Sequence, residues 1–313
     1  MKRLTNRLVI SILSLLILAG SVSAADYLIP VGRVIALELA QGSVTVAAFD
    51  DTLPAAKKAG LQIGDEIRAV DGADIGCAED LRRALTRSDG SVDLTVCRGG
   101  KEQTISLEPE ITSEGPRLGV YLRQGITGIG TVTYYDPDTG TFGTLGHGVN
   151  DARGNLLPMR SGLAYPAAVV SVQKGKSGSP GQLKGALSGD RLVGTLSGNT
   201  CRGVFGTASD SWEGQLMPVA TFGEIHTGHA AIRSTVNSGD PRDYSVEILK
   251  IYPQNRSDGR NLLLKVTDPE LLAATGGIVQ GMSGSPIIQD GKLIGAVTHV
   301  LVNSPDTGYG IFI

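Results

Sequence analysis

Gly281-Met282-Ser283-Gly284-Ser285-Pro286-Ile287-Ile288, followed by Gly291-Lys292-Leu293-Ile294-Gly295-Ala296-Val297-Thr298-His299, is the stretch on which the reading of this chain turns. A serine stands in a tight, glycine-rich loop that runs straight into apolar, strand-like sequence. A serine hydroxyl is a poor nucleophile until an imidazole removes its proton, and the oxyanion it generates needs two inward-pointing backbone N–H groups. A loop of this kind can supply both. The plainer reading is that Ser283 and Ser285 decorate a glycine-rich turn.

Working outward, the general base has to come from four histidines, at positions 147, 226, 229 and 299. His147 is the best placed. A strand-like run ends on Leu145-Gly146-His147-Gly148, after the turn Asp136-Pro137-Asp138-Thr139-Gly140 and the return strand Thr141 to Leu145. The glycines on either side leave room for a substrate to approach. His299, in the strand region after the serine, is the reserve base or else a cleft-wall residue. His226 and His229 would share a face only on a helix, and Thr227-Gly228 argues against one, so no metal and no cofactor is assigned.

The serine loop resembles the nucleophile loop of chymotrypsin-like peptidases. That resemblance implies a β-barrel peptidase domain in which the N–H groups of Gly281 and Ser283 form the oxyanion hole. A second loop, Gly175-Lys176-Ser177-Gly178-Ser179-Pro180, repeats the pattern. Its continuation, Gly181-Gln182-Leu183-Lys184-Gly185, is more turn-like than the apolar run after Pro286, which favours Ser283 over Ser177 as nucleophile.

Nearer the N-terminus, Pro54-Ala55-Ala56-Lys57-Lys58-Ala59-Gly60-Leu61-Gln62-Ile63-Gly64-Asp65-Glu66-Ile67 with Val70-Asp71-Gly72 closely resembles the PDZ family. The resemblance implies a small α+β module: a short helix, a turn through Gly64-Asp65, a strand over Glu66 to Val70, and a second helix at Leu81 to Leu85. Val34, Ile35, Ala36 and Leu37 stand where the family's carboxylate-binding loop would lie, so a peptide could add there as an extra strand. Alternatively, Ile35 and Leu37 are core strand residues.

Length and composition agree with two domains. The chain has 313 residues, 43 glycines, 5 phenylalanines and 1 tryptophan, a balance that favours short strands and tight turns over long helices. A mostly β protein is expected, with the PDZ-like domain at 27–108, a linker at 109–117 and the peptidase domain at 118–313. The net charge of −3 offers no basic surface for nucleic acid. Cys77, Cys97 and Cys201 lack zinc-site spacing, and a Cys77 to Cys97 disulfide is one pairing open to them. Lys2, Arg3 and Arg7 before the apolar run Leu8 to Ala19, with Val22-Ser23-Ala24 as a cleavage site, read as an export signal over residues 1–25. Left uncleaved, it would tether the protein to the outer face of the membrane.

Taken together, Leu145-Gly146-His147-Gly148, Gly276-Gly277-Ile278-Val279-Gln280-Gly281-Met282-Ser283-Gly284-Ser285-Pro286 and the preceding PDZ module resemble the stage IV sporulation protein B peptidases over nearly the whole chain. The resemblance implies His147 and Ser283 as the catalytic pair and Asp268 as a third member. Asp268 is also a ready helix N-cap before Pro269. It further implies a serine endopeptidase exported from the forespore into the intermembrane space. There it would cut a membrane-bound regulator of an intramembrane metalloprotease, so activating a mother-cell sigma factor, and would also cut itself. Its own N-terminal region would be a ligand of the PDZ groove. The rival expectation is an exported PDZ adaptor with a vestigial peptidase domain.

Overall fold

The computed structural model describes residues 26–150, 154–256 and 258–313; the expected signal at 1–25 lies outside the described residues. The PDZ-like module forms where its turn chemistry dictates. Gly60 and Gly64 adopt φ of 94° and 93°, and Asp71-Gly72 turns the chain with φ of 50° and 78°. Between these turns lie the helix Ala55–Lys58 and the strand Glu66–Val70. Asp65, 1% exposed, pins the first turn: its carboxylate accepts two bonds of 2.6 Å from Arg98 and one of 2.8 Å from the Gln62 N–H. On the helix Ala78–Arg87, Leu81 and Leu85 are buried one turn apart on the inner face. They close a core with Val44, Val46, Ile67, Leu94 and Val96.

Two features cross the expected boundaries. The strand Val34–Phe49 is shared: residues 35–40 pair with the strand Ser161–Gln173, whereas Val44 and Thr45 pair with the PDZ strand Glu66–Val70. Its partner Val120–Thr131 runs alongside it through both modules, from Val120 opposite Phe49 to Thr131 opposite Val34. Thus Tyr27–Pro30 and the start of Val34–Phe49 join the peptidase sheet, while Leu118, Val120 and Leu122 pack on the PDZ core. The expected linker 109–117 is itself a hairpin of the strands Glu110–Thr112 and Gly115–Arg117.

The rest of the chain forms two β layers. In the first, the strands Tyr27–Pro30, Tyr134–Asp136, Thr141–Leu145, Gly203–Ala208, Gly194–Thr200, Ser161–Gln173 and Val34–Phe49 follow one another around a core that includes Ile35, Leu37, Leu39 and Phe142. The second is a closed six-stranded barrel, ordered Gly228–Ser234, Arg242–Ile251, Leu262–Val266, Ser304–Phe312, Lys292–Leu301 and Pro286–Gln289. The protein is mostly β, as expected, with a small PDZ-like α+β module followed by a barrel-bearing β domain. Cys77, Cys97 and Cys201 are all free, so the Cys77 to Cys97 pairing is not formed. Cys97 sits opposite Glu66 at the far end of its strand from Leu94 and Val70, while Cys77 follows the Val70 end of the sheet.

Candidate active site

His147 and Ser283 are delivered from the two β layers to one place. The strand Thr141–Leu145 ends in Gly146, whose φ is 130°. A Cβ at Gly146 would stand 3.7 Å from the Ser283 Cβ, so the histidine's own loop rests against the serine. Gly148 is pressed against the turn at Asn199 and Thr200, where a Cβ would come within 2.3 Å of the Thr200 carbonyl oxygen. Asn199 fastens that loop: its Oδ1 accepts from the Val149 N–H at 2.8 Å, and its Nδ2 donates to the Val149 and Leu157 carbonyls, both at 2.9 Å.

The serine loop is held by two buried threonines that sequence reasoning did not mark. Thr131 Oγ1 donates to the Gly281 carbonyl at 2.7 Å, and Thr133 Oγ1 donates to the Gly284 carbonyl at 2.7 Å. Thr133 Oγ1 also accepts from the Leu145 N–H at 2.8 Å, which links the strand before His147 to the loop around Ser283. Gly281 and Gly284 take φ of 98° and 96°, and a Cβ at Gly284 would fall 2.1 Å from the Thr131 carbonyl oxygen. Among the described residues, the N–H groups of Gly281 and Ser283 donate no hydrogen bond, while those of Met282, Gly284 and Ser285 are all satisfied. Two unspent donors flanking a nucleophile are what an oxyanion hole requires.

The Ser283 hydroxyl donates to the Thr298 carbonyl at 2.9 Å. His147 is exposed, and its Nδ1 lies 3.1 Å from the Gly148 carbonyl oxygen. A carbonyl only accepts, so Nδ1 carries the proton and Nε2 keeps its lone pair for the serine. Among the described residues, no carboxylate is hydrogen-bonded to His147. Asp268 is the N-cap of the helix Pro269–Thr275: Oδ1 accepts from the Glu270 and Leu271 N–H groups at 2.9 and 3.0 Å, and Oδ2 from the Ser245 N–H at 3.3 Å. It follows the Val266 end of the strand Leu262–Val266, whereas Gly259, before the other end, is the residue near the Gly146 carbonyl and His299. The structure therefore brings His147 and Ser283 together and leaves Asp268 with the helix.

The other candidates are also placed. Ser177 Oγ donates to the Asn303 carbonyl at 3.0 Å, and its loop braces the segment before Ser283 through the Gln280 N–H to the Gly181 carbonyl at 2.9 Å and the Leu183 N–H to the Gln280 carbonyl at 2.8 Å. His226 pairs with Asp290 at 2.7 Å on the surface. Val34, Ile35, Ala36 and Leu37 lie within a strand and form no loop. They are buried, and both edges of their strand are taken, by Ser161–Gln173 on one side and Val120–Thr131 on the other. Since a peptide adds only to a free strand edge, the expectation for these four residues is corrected. An open edge exists elsewhere in the module. The start of Val120–Thr131 faces the helix Ala78–Arg87 across a cavity of about 290 Å³, lined by Leu81, Arg82, Leu85, Leu118, Val120 and Leu122.

Residues 114–313 match the SpoIVB peptidase S55 family, and residues 34–108 match the PDZ domain family. The chain belongs to the SpoIVB peptidase S55 family. It is accordingly a serine peptidase carrying a PDZ domain. The solved structures similar to this S55 peptidase include the PDZ domain of an SdrC-like protein from Listeria monocytogenes, at 21% identity and a TM-score of 0.23, over 26% of this chain and 87% of that one. They also include the Rv3671c protease in an inactive form, at 14% identity and a TM-score of 0.34, over 59% of this chain and 78% of that one. An inactive serine-to-alanine mutant of the same M. tuberculosis H37Rv protein aligns at 14% identity and a TM-score of 0.32, over 59% and 76% of the two chains. A search of curated proteins found no match.

Proposed function

We propose that this S55 peptidase is an exported endopeptidase of sporulation signalling, with Ser283 as nucleophile, His147 as general base and the Gly281 and Ser283 N–H groups as the oxyanion hole. The observation that carries the site is the pair of unspent N–H groups on a glycine-strained loop whose serine packs against the His147 loop. Rotation about the Ser283 Cα–Cβ bond moves the hydroxyl from the Thr298 carbonyl to His147 Nε2. Apo enzymes commonly tighten such contacts only when substrate binds. The serine proton passes to His147, Oγ attacks the peptide carbonyl, and the oxyanion falls between the two N–H groups. His147 then returns the proton to the leaving amine.

The family match supports the biological setting: a protein secreted across the membrane, cutting itself and a membrane-bound regulator of an intramembrane metalloprotease that activates a mother-cell sigma factor. No described helix is long and apolar enough to cross a membrane. A fluorophosphonate, which reacts only with an activated serine, should label the full chain at Ser283. Ser283→Ala and His147→Ala should each lower peptide hydrolysis by several orders of magnitude, and the double mutant should lose little more because the two act as one unit. A purified, folded Ser283→Ala protein that keeps about a tenth of wild-type turnover would exclude this nucleophile, given the losses such replacements cause.

A further inference from the structure

One edge of the strand Lys292–Leu301 is open beside Ser283. The edge that faces away from Ser304–Phe312 is taken by Pro286–Gln289 as far as Ala296. The serine loop takes it at Val297, where the Gly284 N–H donates to the Val297 carbonyl at 2.8 Å and the Val297 N–H to the Ser285 carbonyl at 2.9 Å. From Thr298 to Leu301, no strand among the described residues pairs with it. The pairing with Ser304–Phe312 steps by one residue between Val297 and His299, making Thr298 the extra residue of a β-bulge whose carbonyl lies 2.9 Å from Ser283 Oγ. A peptide residue whose N–H takes the Thr298 carbonyl presents its own carbonyl to Ser283. Because the edge is closed at Val297, the residues preceding the scissile bond are the ones that run along His299 to Leu301.

Cations seated on aromatic rings border that path. Tyr309 stands directly opposite half-buried His299 in the strand pair, so the two side chains share one face of the sheet. The connection between Arg242–Ile251 and Leu262–Val266 is pinned next to them. The Tyr252 N–H donates to the Asn261 carbonyl, the Asn261 N–H to the Gly310 carbonyl and the Thr298 hydroxyl to the Gly259 carbonyl, each at 2.8 Å. Arg260, the residue after Gly259, lays its guanidinium over the Tyr309 ring, 5.5 Å from the centroid, while Lys250 and Arg256 stand 5.0 and 4.7 Å from the Tyr252 centroid. The Asp258 carboxylate is held by Arg256 and also accepts from the Arg260 backbone N–H at 3.2 Å. Lys250 and the exposed Arg260 guanidinium form no ion pair with a described residue. Burial first, then the charges of Arg260 and His147, hold the His299 pKa below the ordinary histidine value, with Asp258 opposing, so the Arg260 charge is felt at that ring.

We propose that Arg260 is a specificity-determining residue: its guanidinium, seated on Tyr309 beside His299, pairs with an acidic side chain on one of the three substrate residues that precede the one bearing the scissile carbonyl. The inference rests on the Ser283 and His147 assignment above and adds the substrate class that this site selects. A guanidinium presents a planar fork of donors that meets a carboxylate with two parallel bonds. Resting on the Tyr309 ring, it is held near its bound geometry and loses less freedom on pairing. An extended strand advances about 3.3 Å per residue and alternates its faces, so the side chains that share the face of His299 pass within reach of Arg260. Lys250 adds a second positive charge to the same border, which favours a carboxylate and disfavours a substrate lysine.

The test uses the full chain and a set of acetylated tetrapeptidyl diphenyl phosphonates, with alanine at the reacting position and glutamate, glutamine or lysine at one of the three preceding positions. In the reaction the Ser283 Oγ–P bond forms, a P–O bond breaks and phenol leaves with the serine proton. Rates are read by intact mass, and glutamate-to-glutamine ratios are taken within each protein, so that any change in overall reactivity cancels. At one position at least, wild type should react about 5- to 30-fold faster with glutamate than with glutamine, and more slowly still with lysine. Arg260→Gln should bring the glutamate and glutamine members within about twofold, less than a single charge-assisted bond provides, and Arg260→Glu should favour lysine. Wild type that reacts alike with all members at every position overturns the proposal, and so does a glutamate preference that survives in Arg260→Gln or Arg260→Glu. Labelling of wild type by a simple fluorophosphonate, which involves no peptide subsites, separates the two levels: failure there at Ser283 refutes the catalytic assignment, whereas normal labelling with no glutamate preference refutes the role of Arg260 alone.

Discussion

Thr133 carries no chemistry, yet its removal should be felt in both stability and rate. The residue is fully buried, and its hydroxyl serves two backbone groups at once, the Gly284 carbonyl at 2.7 Å and the Leu145 N–H at 2.8 Å. Thr133→Val keeps the shape and strands both. A buried polar group left without its partner costs about 1–3 kcal/mol, so the pair should cost roughly 2–6 kcal/mol. Thr131→Val strands only the Gly281 carbonyl and should cost about half as much. At about 2–4 °C per kcal/mol for a domain of this size, a central loss of about 3 kcal/mol lowers the melting temperature by roughly 6–12 °C. Thermal unfolding followed by circular dichroism reads the stability, and fluorophosphonate labelling at low temperature reads the site. Because the hydroxyl ties the His147 strand to the Ser283 loop, labelling should slow even where the protein is fully folded. Thr133→Ser, which keeps both bonds, should behave nearly as wild type. The reasoning fails if Thr133→Val melts within about 2 °C of wild type, less than one lost bond predicts, or if Thr131→Val is the more damaging change.

Asp268→Asn keeps an N-cap and should leave peptide turnover near wild type, whereas Asp268→Ala should cost about 1 kcal/mol in denaturant unfolding without slowing the folded enzyme. A collapse of turnover in folded Asp268→Asn would return the carboxylate to the catalytic group. Ile35→Asp places a charge in a core position that is 1% exposed, beside Leu37 and Phe142. It should cost several kcal/mol and abolish the cooperative melt, not merely alter peptide selection. Arg98 beside Asp65, with the Gln62 N–H, holds the Asp65 carboxyl below the usual carboxylate range against the opposing effect of burial. Its folded pKa is depressed, so its contribution is complete above the unfolded value of about 4 and is lost as pH falls toward the folded one. Urea titrations should show that acidification below about pH 4 destabilises wild type more than Asp65→Asn, which has no such carboxylate.

The PDZ module and the proposed His147 and Ser283 pair were legible in the sequence because their requirements are local. Gly60, Gly64 and Asp71-Gly72 mark places where the backbone must take positive φ, and that demand is written in the residues themselves. Gly146-His147-Gly148 and Gly281-Met282-Ser283-Gly284 are likewise legible, because close approach of backbone to backbone and free N–H groups both require glycine nearby. Asp268 illustrates the limit. An aspartate before proline can cap a helix or orient an imidazole, and only the spatial position of His147 chooses between them. Val34 to Leu37 failed for a related reason. An apolar strand announces that its face is buried, but nothing in its period of two says which strands flank it or where an edge is left open. That decision belongs to Val120–Thr131 and Ser161–Gln173, distant segments that occupy both edges. Thr131, Thr133 and the bulge at Thr298 were invisible on the same ground. A hydroxyl bridging two chain segments, or a register step that turns a carbonyl toward a serine, exists only once the strands are paired. The sequence by itself determined which residues could do chemistry and which turns the chain must make. Tertiary structure alone decided which of them meet, because strand pairing, hydrogen-bond partners and burial are set by segments far apart in the chain.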